Sequence, residues 1–507
     1  MSQLLIVVVC LLGQWLLGLA VTRLVFRWTD SKTSHAFCEQ LGLGIVLGIG
    51  LNAWGLFLWS WLGGTLGPST SIVLAGLGII AGIPLLLLKS RIINGINGVS
   101  ERLSSPDQGR NAEGAAFCIA CQWGIGLLTV VALVQSLMTP LRLWDERAHF
   151  SIKASVMFED RSIRSADLAE RDFVQGHPRY PLLIPLAQVH LYFLLGEIND
   201  RLAKVYFPLL FAGLVLTTVG VLMRHLTTAR AWLWGMILAT VPALMPNEYG
   251  FLCGQADAPV ACFHGIAILY AWDVLERLRR DGVLSISSLI IAGLSSGLTV
   301  FTKDEGIAYL IIDMVALALM LTVQSLSGHV RRNHGIEKNG RVSESVGTIL
   351  VAGIVVSTCA AVIVVPWLMH RRDLPQTAEM AYADRLSVEY LFKRFQTLTW
   401  SAPHLGQRMF WEWYEWGLQW WFMAVAMMFA PRRLMRPAQM LLLIDVLGAL
   451  AALLVAGMLA PVQLEEHIGG SSHRFLMQIT PVAILFAASQ LGSADRSHVE
   501  TSEADSP

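Results

Sequence analysis

The sequence predicts an all-α polytopic membrane protein with about thirteen transmembrane helices. Of its 507 residues, 54% are hydrophobic and only 15% are charged, and the mean hydropathy is +0.56. A soluble globular protein carries about 25% charged residues, so this chain is unusually poor in charge. In addition, many apolar runs approach the ~20 residues that a helix needs to cross a bilayer.

The predicted spans follow these apolar runs along the chain. They cover residues 3–27, 37–62, 69–88, 115–138, 202–223, 231–248, 257–275, 285–301, 306–325, 348–368, 416–430, 437–460 and 474–491. The first span is expected to stay in the membrane, because its basic residues, Arg23 and Arg27, follow the apolar stretch, whereas those of a signal peptide precede it.

The distribution of basic residues predicts the orientation of the spans. Lys and Arg concentrate in alternate short loops, and such loops face the cytoplasm. We therefore expect a multi-pass protein of the cytoplasmic membrane with its N-terminus outside and its C-terminus inside. The large outer loops are then 139–200 and 369–415. Within the first, 180–196 breaks the alternation if it crosses, so we expect an interfacial or re-entrant helix there.

This organisation divides the chain into three parts. Residues 1–114 are predicted to hold the N-terminal transmembrane helices and a basic cytoplasmic loop. Residues 115–490 form the main transmembrane core, and 491–507 form a polar, disordered cytoplasmic tail.

Charge and cysteine content argue against two classes of protein. A formal net charge of zero and a pI near 7.2 give no general attraction to nucleic acid. Six of the seven cysteines lie in or beside apolar runs, and only Cys253 is expected in an aqueous loop. A disulfide framework is therefore not expected. The lone CxxC of Cys118 and Cys121 indicates small residues on a buried helix.

The first outer loop begins with the charged stretch "WDERAH", which contains Asp145 and Glu146. Adjacent residues on a helix point about 100° apart, so the two carboxylates cannot face the same spot. One can act as a base while the other orients a neighbour. The alternative is a solvated end of a span.

Other polar residues occur in later outer segments. "GHPRYP" supplies His177, Arg179 and Tyr180, either as a turn entering the interfacial helix or as groups that bind an amphiphilic substrate. Asp257 in "GQADAP" opens a span, where an acidic residue commonly starts a helix. It can equally be a second carboxylate facing the first across an outer cavity.

Basic residues also lie on the outer side, against the positive-inside tendency. They belong to "FTKDEG", "LMHRRD" and "SSHRFL". An ammonium or guanidinium close to the bilayer surface is well suited to bind a phosphate. The residues predicted to bind the substrate are therefore His177, Arg179, Tyr180, Lys303, Glu305, His370, Arg371, His473 and Arg474.

No metal cofactor is indicated by the spacing of possible ligands. A zinc site from His467, His473 and either Glu465 or Glu466 is conceivable, but the spacing matches no established zinc motif. The tryptophans of "MFWEWYEWGLQWWF" favour an aromatic belt at the bilayer surface, with stacking on a sugar as the alternative.

Taken in order, the outer segments resemble those of the C-type superfamily of polytopic membrane glycosyltransferases, which includes protein O-mannosyltransferases and aminoarabinose transferases of lipid A. The similar pieces are "WDE", "HPRYPLLIP", "GQADAP", "GLTVFTKDEG" and "SSHRFLMQITP", spread over residues 115–490. The chain departs from the family in having about three spans, instead of one, before the acidic loop.

The resemblance implies transfer of a sugar from a polyprenyl-phosphate donor to an acceptor hydroxyl of a glycan, lipid or protein outside the membrane. It implies that Asp145 is the catalytic base, with Glu146 as its neighbour and Asp257 as the acidic residue of the second loop. The leaving lipid phosphate needs cations, for which Lys303, Arg371, His473 and Arg474 are candidates. Direct displacement would invert the anomeric configuration.

Two alternatives stay open. A transporter or flippase for a lipid-linked substrate needs charges in the middle of the bilayer, and Asp313 and Asp445 are the candidates, each without an obvious basic partner. A ligase or polymerase with similar donors would depend on a large outer loop rich in Arg and His.

Overall fold

The computed structural model describes residues 3–27, 36–87, 110–170, 176–245, 249–332, 341–375, 385–396, 398–429, 431–460 and 464–492. These ranges contain helices and no strand. Nine of the helical segments within them are long and apolar enough to cross a membrane. The prediction of an all-α membrane protein is thus confirmed, whereas the count of thirteen spans is not.

The helices are numbered here in chain order. The N-terminal four are α1 (Gln3–Arg27), α2 (Ala36–Trp61), α3 (Pro68–Leu87) and α4 (Arg110–Met138). The first large loop then contains a π-helical turn (Glu146–Ser151), α5 (Ile152–Asp160), α6 (Ala166–Ala169), α7 (Leu183–Leu195) and α8 (Asp200–Ala203).

The second half of the chain continues the bundle. Its central helices are α9 (Tyr206–Leu222), α10 (Thr228–Ala239), α11 (Asp257–Asp281), α12 (Ile286–Thr302), α13 (Glu305–Arg332) and α14 (Arg341–Arg371). The last helices are α15 (Val388–Phe395), α16 (Leu398–Trp411), α17 (Trp413–Trp416), α18 (Gln419–Phe429), α19 (Pro431–Leu434), α20 (Pro437–Leu459) and α21 (Leu464–Gly492).

Helix α11 forms the centre of the bundle. It packs against α9, α12, α13, α20 and α21, and its most apolar stretch is buried along its whole length. A helix surrounded by protein in this way can carry polar residues, because neighbouring helices rather than lipid face them. Three polar groups of the protein therefore include a residue of α11.

Helix α7 lies within the segment 180–196, for which an interfacial or re-entrant helix is predicted. It packs against α1, α2, α3 and α12, and even its polar side chains Gln188 and His190 are buried. An interfacial helix keeps one polar face in water. Helix α7 has no such face, since it lies inside the protein, and the re-entrant alternative stays a prediction.

The predicted span 231–248 is shorter than expected, since α10 has 12 residues and ends at Ala239. Val241 is extended because it precedes Pro242, and a residue before proline is disfavoured in the α region. The chain continues as a 3₁₀ turn, Pro242–Leu244, with Ala243 and Leu244 buried. Non-helical backbone at membrane depth is tolerated where protein covers it.

An amphipathic helix occurs in the second large loop. On α15, Val388, Phe392 and Phe395 are exposed along one face. The hydroxyl of Tyr390 donates to the carbonyl of Ala460, which fixes α15 at the end of α20. The apolar face of α15 is therefore turned outward at one end of the bundle, as in helices that lie on a bilayer surface.

Two polar clusters mark opposite ends of α11. Asp257 is its first residue, and Asp273 lies about 24 Å further along the helix axis. Asp273 binds Arg224 at 2.8 Å and His225 at 2.7 Å, and Arg224 also pairs with Glu39. This second cluster joins α2, the end of α9 and α11, so it holds together the end of the bundle opposite Asp257.

Candidate functional site

The first cluster is built around Arg474 of α21, which bridges two of the carboxylates predicted to be catalytic. Its Nη2 atom lies 2.8 Å from Asp145 Oδ2 and 2.9 Å from Asp257 Oδ2. Its Nε also donates to Asp257 Oδ2, at 3.1 Å. Asp145 and Asp257 are thus brought together through one guanidinium, although Asp145 lies in the first large loop and Asp257 begins α11.

Asp257 is completely buried and fully bonded. Besides Arg474, it accepts hydrogen bonds at Oδ1 from Lys303 Nζ and from Gln478 Nε2, each at 2.8 Å. Its position at the start of α11 adds the positive end of the helix dipole. A carboxylate held by this many donors is well suited to orient cations and poorly suited to accept a further proton.

Lys303 is the residue between α12 and α13, and it pairs with Asp257 and with Glu305 at 2.9 Å. Burial alone would lower the pKa of Lys303, but the carboxylates of Asp257 and Glu305 raise it above its usual value. Lys303 is therefore a charged ammonium whose two carboxylate partners come from the protein itself.

Asp145 has a different environment from Asp257. Its side chain is 22% exposed, it forms an ion pair with Arg474, and it lies 3.5 Å from the ring nitrogen Nε2 of His149. Burial lowers the pKa of His149 to about 4, so its imidazole is neutral at pH 7. The Asp145 carboxylate thus lies at the accessible edge of the cluster.

Glu146 points away from Asp145, as the angle between adjacent helical residues predicts. It is buried, and its Oε2 accepts hydrogen bonds from the backbone N–H groups of Arg142 and Leu143 at 2.7 and 3.0 Å. Its Oε1 accepts from the N–H of Gly254 at 2.6 Å. Glu146 therefore connects the first large loop to the short loop before α11.

The residues of "GHPRYP" form a layer beside the π-helical turn. The ring of His177 stacks on Tyr180 with centroids 4.7 Å apart and meets His149 edge to face at 4.5 Å. His177 has a φ of 48°, a left-handed conformation that is uncommon outside glycine. Strained backbone of this kind often occurs at functional sites.

Lys153 holds this layer through hydrogen bonds to its backbone. It is completely buried, and its ammonium donates to the carbonyls of His177 at 2.6 Å and of Tyr180 at 3.3 Å. Burial lowers the pKa of Lys153 to about 7, and the nearby Asp304 carboxylate only partly offsets that effect. Lys153 is thus a titratable group next to the predicted substrate-binding residues.

The other predicted binding residues occupy the same end of the bundle. Arg371 pairs with Asp304 at 2.8 Å, and burial raises the pKa of Asp304 to about 6. Arg179 donates to the carbonyl of Leu374 at 2.8 Å. His370, by contrast, is buried against aromatic rings including Phe57, so it faces the apolar interior.

His473, beside Arg474, is held by a further cation. Arg408 of α16 donates to its Nδ1 at 2.9 Å, and the Tyr249 ring lies 4.4 Å from the His473 ring. The Arg474 guanidinium also lies 5.1 Å from the centre of the Tyr249 ring. The segment before α11, residues 249–256, thus contacts the same cluster.

Several residues of this site are absent from the sequence-based prediction. Gln478 follows Arg474 by one helical turn, and Tyr309 follows Glu305 by one turn, so their helical spacing was the available signal. The Tyr309 hydroxyl donates to Gln478 Oε1 at 2.6 Å, which extends the cluster toward the middle of the bundle.

A third polar group lies deeper in the bundle. His264 of α11 lies between Asp313 of α13 and Asp445 of α20, at 3.5 and 3.1 Å. The two aspartates therefore have the basic partner that their sequence surroundings do not reveal.

Comparison with protein families and with curated proteins gives no match to this chain. The resemblance to the C-type glycosyltransferases therefore rests on the motifs quoted above.

Proposed function

We propose that the protein is a membrane glycosyltransferase that moves a sugar from a polyprenyl-phosphate donor to an acceptor hydroxyl. The observation that carries this proposal is the contrast between two aspartates joined by Arg474. Asp145 is accessible, whereas Asp257 is buried and bonded to Lys303, Arg474 and Gln478. One carboxylate is free to meet a substrate while the other holds the cations in place.

Asp145 is assigned as the general base. An acceptor hydroxyl must lose its proton as it attacks the anomeric carbon, and a carboxylate within hydrogen-bond reach supplies that acceptor. The oxygen Oδ2 of Asp145 is paired with Arg474, so Oδ1 is the atom assigned to the hydroxyl proton. Glu146 is assigned a positioning role, because it is bonded to three backbone N–H groups.

Arg474 is assigned to the leaving phosphate. As the bond between sugar and phosphate breaks, negative charge grows on the phosphate oxygens, and preorganised cations stabilise that charge. The Nη1 atom of Arg474 takes part in none of the bonds to Asp145 and Asp257. Lys303 then acts indirectly, by holding Asp257 against Arg474.

The proposal also includes the outer face of the cytoplasmic membrane as the place of reaction. The alternating basic loops support this assignment, and so does the clustering at one end of the bundle of Asp145, Asp257 and Arg371. Lipid phosphates lie at the surface of a bilayer, and the proposal places Asp145 at that surface, where it would meet the attached sugar.

The direct test uses Asp145→Asn in the purified full-length protein. Defined polyprenyl-phosphate sugars are supplied with candidate acceptors, and the release of lipid phosphate is measured. The variant is expected to lose transfer while still binding donor and unfolding at the wild-type temperature. Asp167→Asn, in the same large loop but outside the cluster, is the matched control. If Asp145→Asn released lipid phosphate at the wild-type rate, Asp145 would not be the base.

A second candidate function is transport of a lipid-linked substrate. It is favoured by one observation, the buried group of His264, Asp313 and Asp445 in the interior of the bundle. Ionisable residues at this depth often mark ion or proton pathways. Movement of a labelled polyprenyl-phosphate sugar across reconstituted vesicles, without release of lipid phosphate, would favour transport over transfer.

A further inference from the structure

The proposed glycosyltransferase mechanism does not use the group formed by His264 of α11, Asp313 of α13 and Asp445 of α20. Their ligand atoms lie within 4.8 Å of one another, and all three side chains are buried. Each residue stands about two turns inside the end of its helix, so the group lies well within the bundle. Charges at this depth need a strong compensating interaction.

From this geometry we infer that His264, Asp313 and Asp445 bind a divalent transition-metal ion. The two carboxylates point toward the same side of the imidazole. Both carboxylates approach the same atom, His264 Nε2, with Asp445 Oδ1 at 3.1 Å and Asp313 Oδ1 at 3.5 Å. A single N–H can serve one of these oxygens well, whereas a metal ion between them serves both.

The distances agree with a shared ion. Ligand atoms that bind one metal at about 2.1 Å lie about 3.4 Å apart in a tetrahedral site and about 3.0 Å apart at right angles. The two observed separations, 3.1 and 3.5 Å, fall close to those values. Three protein ligands would leave at least a fourth position for water or another group.

Unsatisfied oxygens point to the same conclusion. Within the part of the chain that the structure describes, neither Asp313 Oδ1 nor Asp445 Oδ2 accepts a hydrogen bond of good geometry, and both are buried. A buried carboxylate oxygen without a donor is costly. An ion bound by Asp313 Oδ1 and by both oxygens of Asp445 would satisfy these two oxygens at once.

Net charge favours a metal ion over a protonated histidine alone. Two carboxylates and a protonated imidazole leave one uncompensated negative charge in the apolar interior unless one carboxyl is protonated as well. Two carboxylates, a neutral imidazole and a divalent ion sum to zero, which removes most of the cost of burying charge. One imidazole nitrogen with carboxylate oxygens suits Zn²⁺, Mn²⁺ or Fe²⁺ better than Mg²⁺ or Ca²⁺, which prefer oxygen alone.

The ion would also restrain the chain of contacts that links His264 to Asp257. The His264 ring stacks on Tyr309 with centroids 4.3 Å apart, and Tyr309 donates to Gln478 at 2.6 Å. Gln478 in turn donates to Asp257 at 2.8 Å. Fixing His264 therefore helps to fix Asp257, although metal binding itself does not depend on the proposed transfer reaction.

The test measures metal retained by the full-length protein in detergent after dialysis against metal-free buffer. Wild-type protein loaded with Zn²⁺ is expected to retain about one equivalent by elemental analysis. Asp445→Asn and Asp313→Asn, which preserve side-chain shape, are expected to lose it. The control is His190→Gln, because His190 is an equally buried histidine without nearby carboxylates in the described structure, and it should retain the metal.

Wild-type protein alone provides a second measurement in case the variants do not fold. Co²⁺ loaded in place of Zn²⁺ is expected to give intense visible absorption bands of low-symmetry coordination by nitrogen and oxygen. Absence of both retained Zn²⁺ and these bands would overturn the inference and leave a proton on the histidine. Retention of Zn²⁺ by Asp445→Asn and Asp313→Asn at the wild-type level would also overturn it, since the metal would then lie elsewhere.

Discussion

The guanidinium of Arg474 and the carboxylate of Asp145 form a 2.8 Å ion pair that joins the first large loop to the last helix. Because the same guanidinium binds Asp257, its position is fixed from two sides. This relationship makes Arg474 the residue on which the geometry of the proposed site depends most strongly.

Arg474→Lys is expected to impair transfer more than binding. A lysine ammonium is a point charge and cannot reproduce the fork that serves Asp145 and Asp257 together. We expect kcat to fall by roughly 10²–10³, the usual cost of losing one transition-state donor, with KM changed much less. Steady-state kinetics with a defined donor measure kcat and KM separately. Arg433→Lys, at the opposite end of the bundle, is the control, and an unchanged kcat in Arg474→Lys would contradict the assignment.

Glu146→Gln tests whether Glu146 has a positioning role, in contrast to the role of base assigned to its neighbour Asp145. Glutamine keeps an oxygen that accepts hydrogen bonds, but it cannot serve all three N–H groups equally well. The expected result is a loss of stability of about 1–3 kcal/mol with most of the transfer activity kept. Thermal unfolding and transfer rate are measured on the same sample. Loss of transfer with unchanged stability would instead make Glu146 part of the chemistry.

Asp257→Asn is expected to destabilise the protein strongly. The substitution leaves Lys303 and Arg474 without their shared counter-charge, and removing one partner of a buried pair costs about 3–5 kcal/mol. Chemical unfolding in detergent measures the loss. The double variant Asp257→Asn with Lys303→Met removes one of the stranded cations, so it should be more stable than the single variant. Equal stabilities of the two would argue against the coupling.

Lys153 is expected to make stability depend on pH. Its pKa of about 7 in the folded protein is below the value of about 10.4 in an unfolded chain. Between these values the unfolded state binds more protons, so the free energy of unfolding rises with pH, by up to about 1.4 kcal/mol per pH unit. The groups that face Lys153 include Asp304 and the carbonyls of His177 and Tyr180.

The measurement is thermal unfolding of wild type and Lys153→Met from about pH 7 to about pH 10, the window between the two pKa values. Wild type should gain stability relative to the variant as the pH rises. Parallel curves for the two proteins would mean that the ammonium stays charged throughout this range.

The sequence predicts the fold class, and it predicts that the polar residues lie at one end of the bundle. Both predictions depend on local properties of the sequence. Apolar length identifies helices such as α1 and α20, and the alternation of basic loops brings Asp145 and Asp257 to the same end. Helix α10 is the exception, since its end at Ala239 depends on the proline that follows and on protein covering the irregular chain.

The sequence does not reveal which distant residues contact each other. Asp313 and Asp445 look unpaired because His264, their partner, is 181 residues before Asp445. Likewise, nothing near Glu146 indicates that Gly254, 108 residues away, donates to it. Such contacts depend on how the helices pack together, which hydropathy and local spacing do not specify.

The central position of α11 has a consequence for biosynthesis. Asp257 acquires Lys303 46 residues later, within the adjoining pair of helices, but Arg474 only 217 residues later. At about 5–20 residues per second, synthesis separates these events by roughly nine to thirty-four seconds. Helix α11 therefore enters the membrane before Arg474, one of the two ionic partners of Asp257, has been made, and the cluster around Arg474 is completed only when α21 arrives.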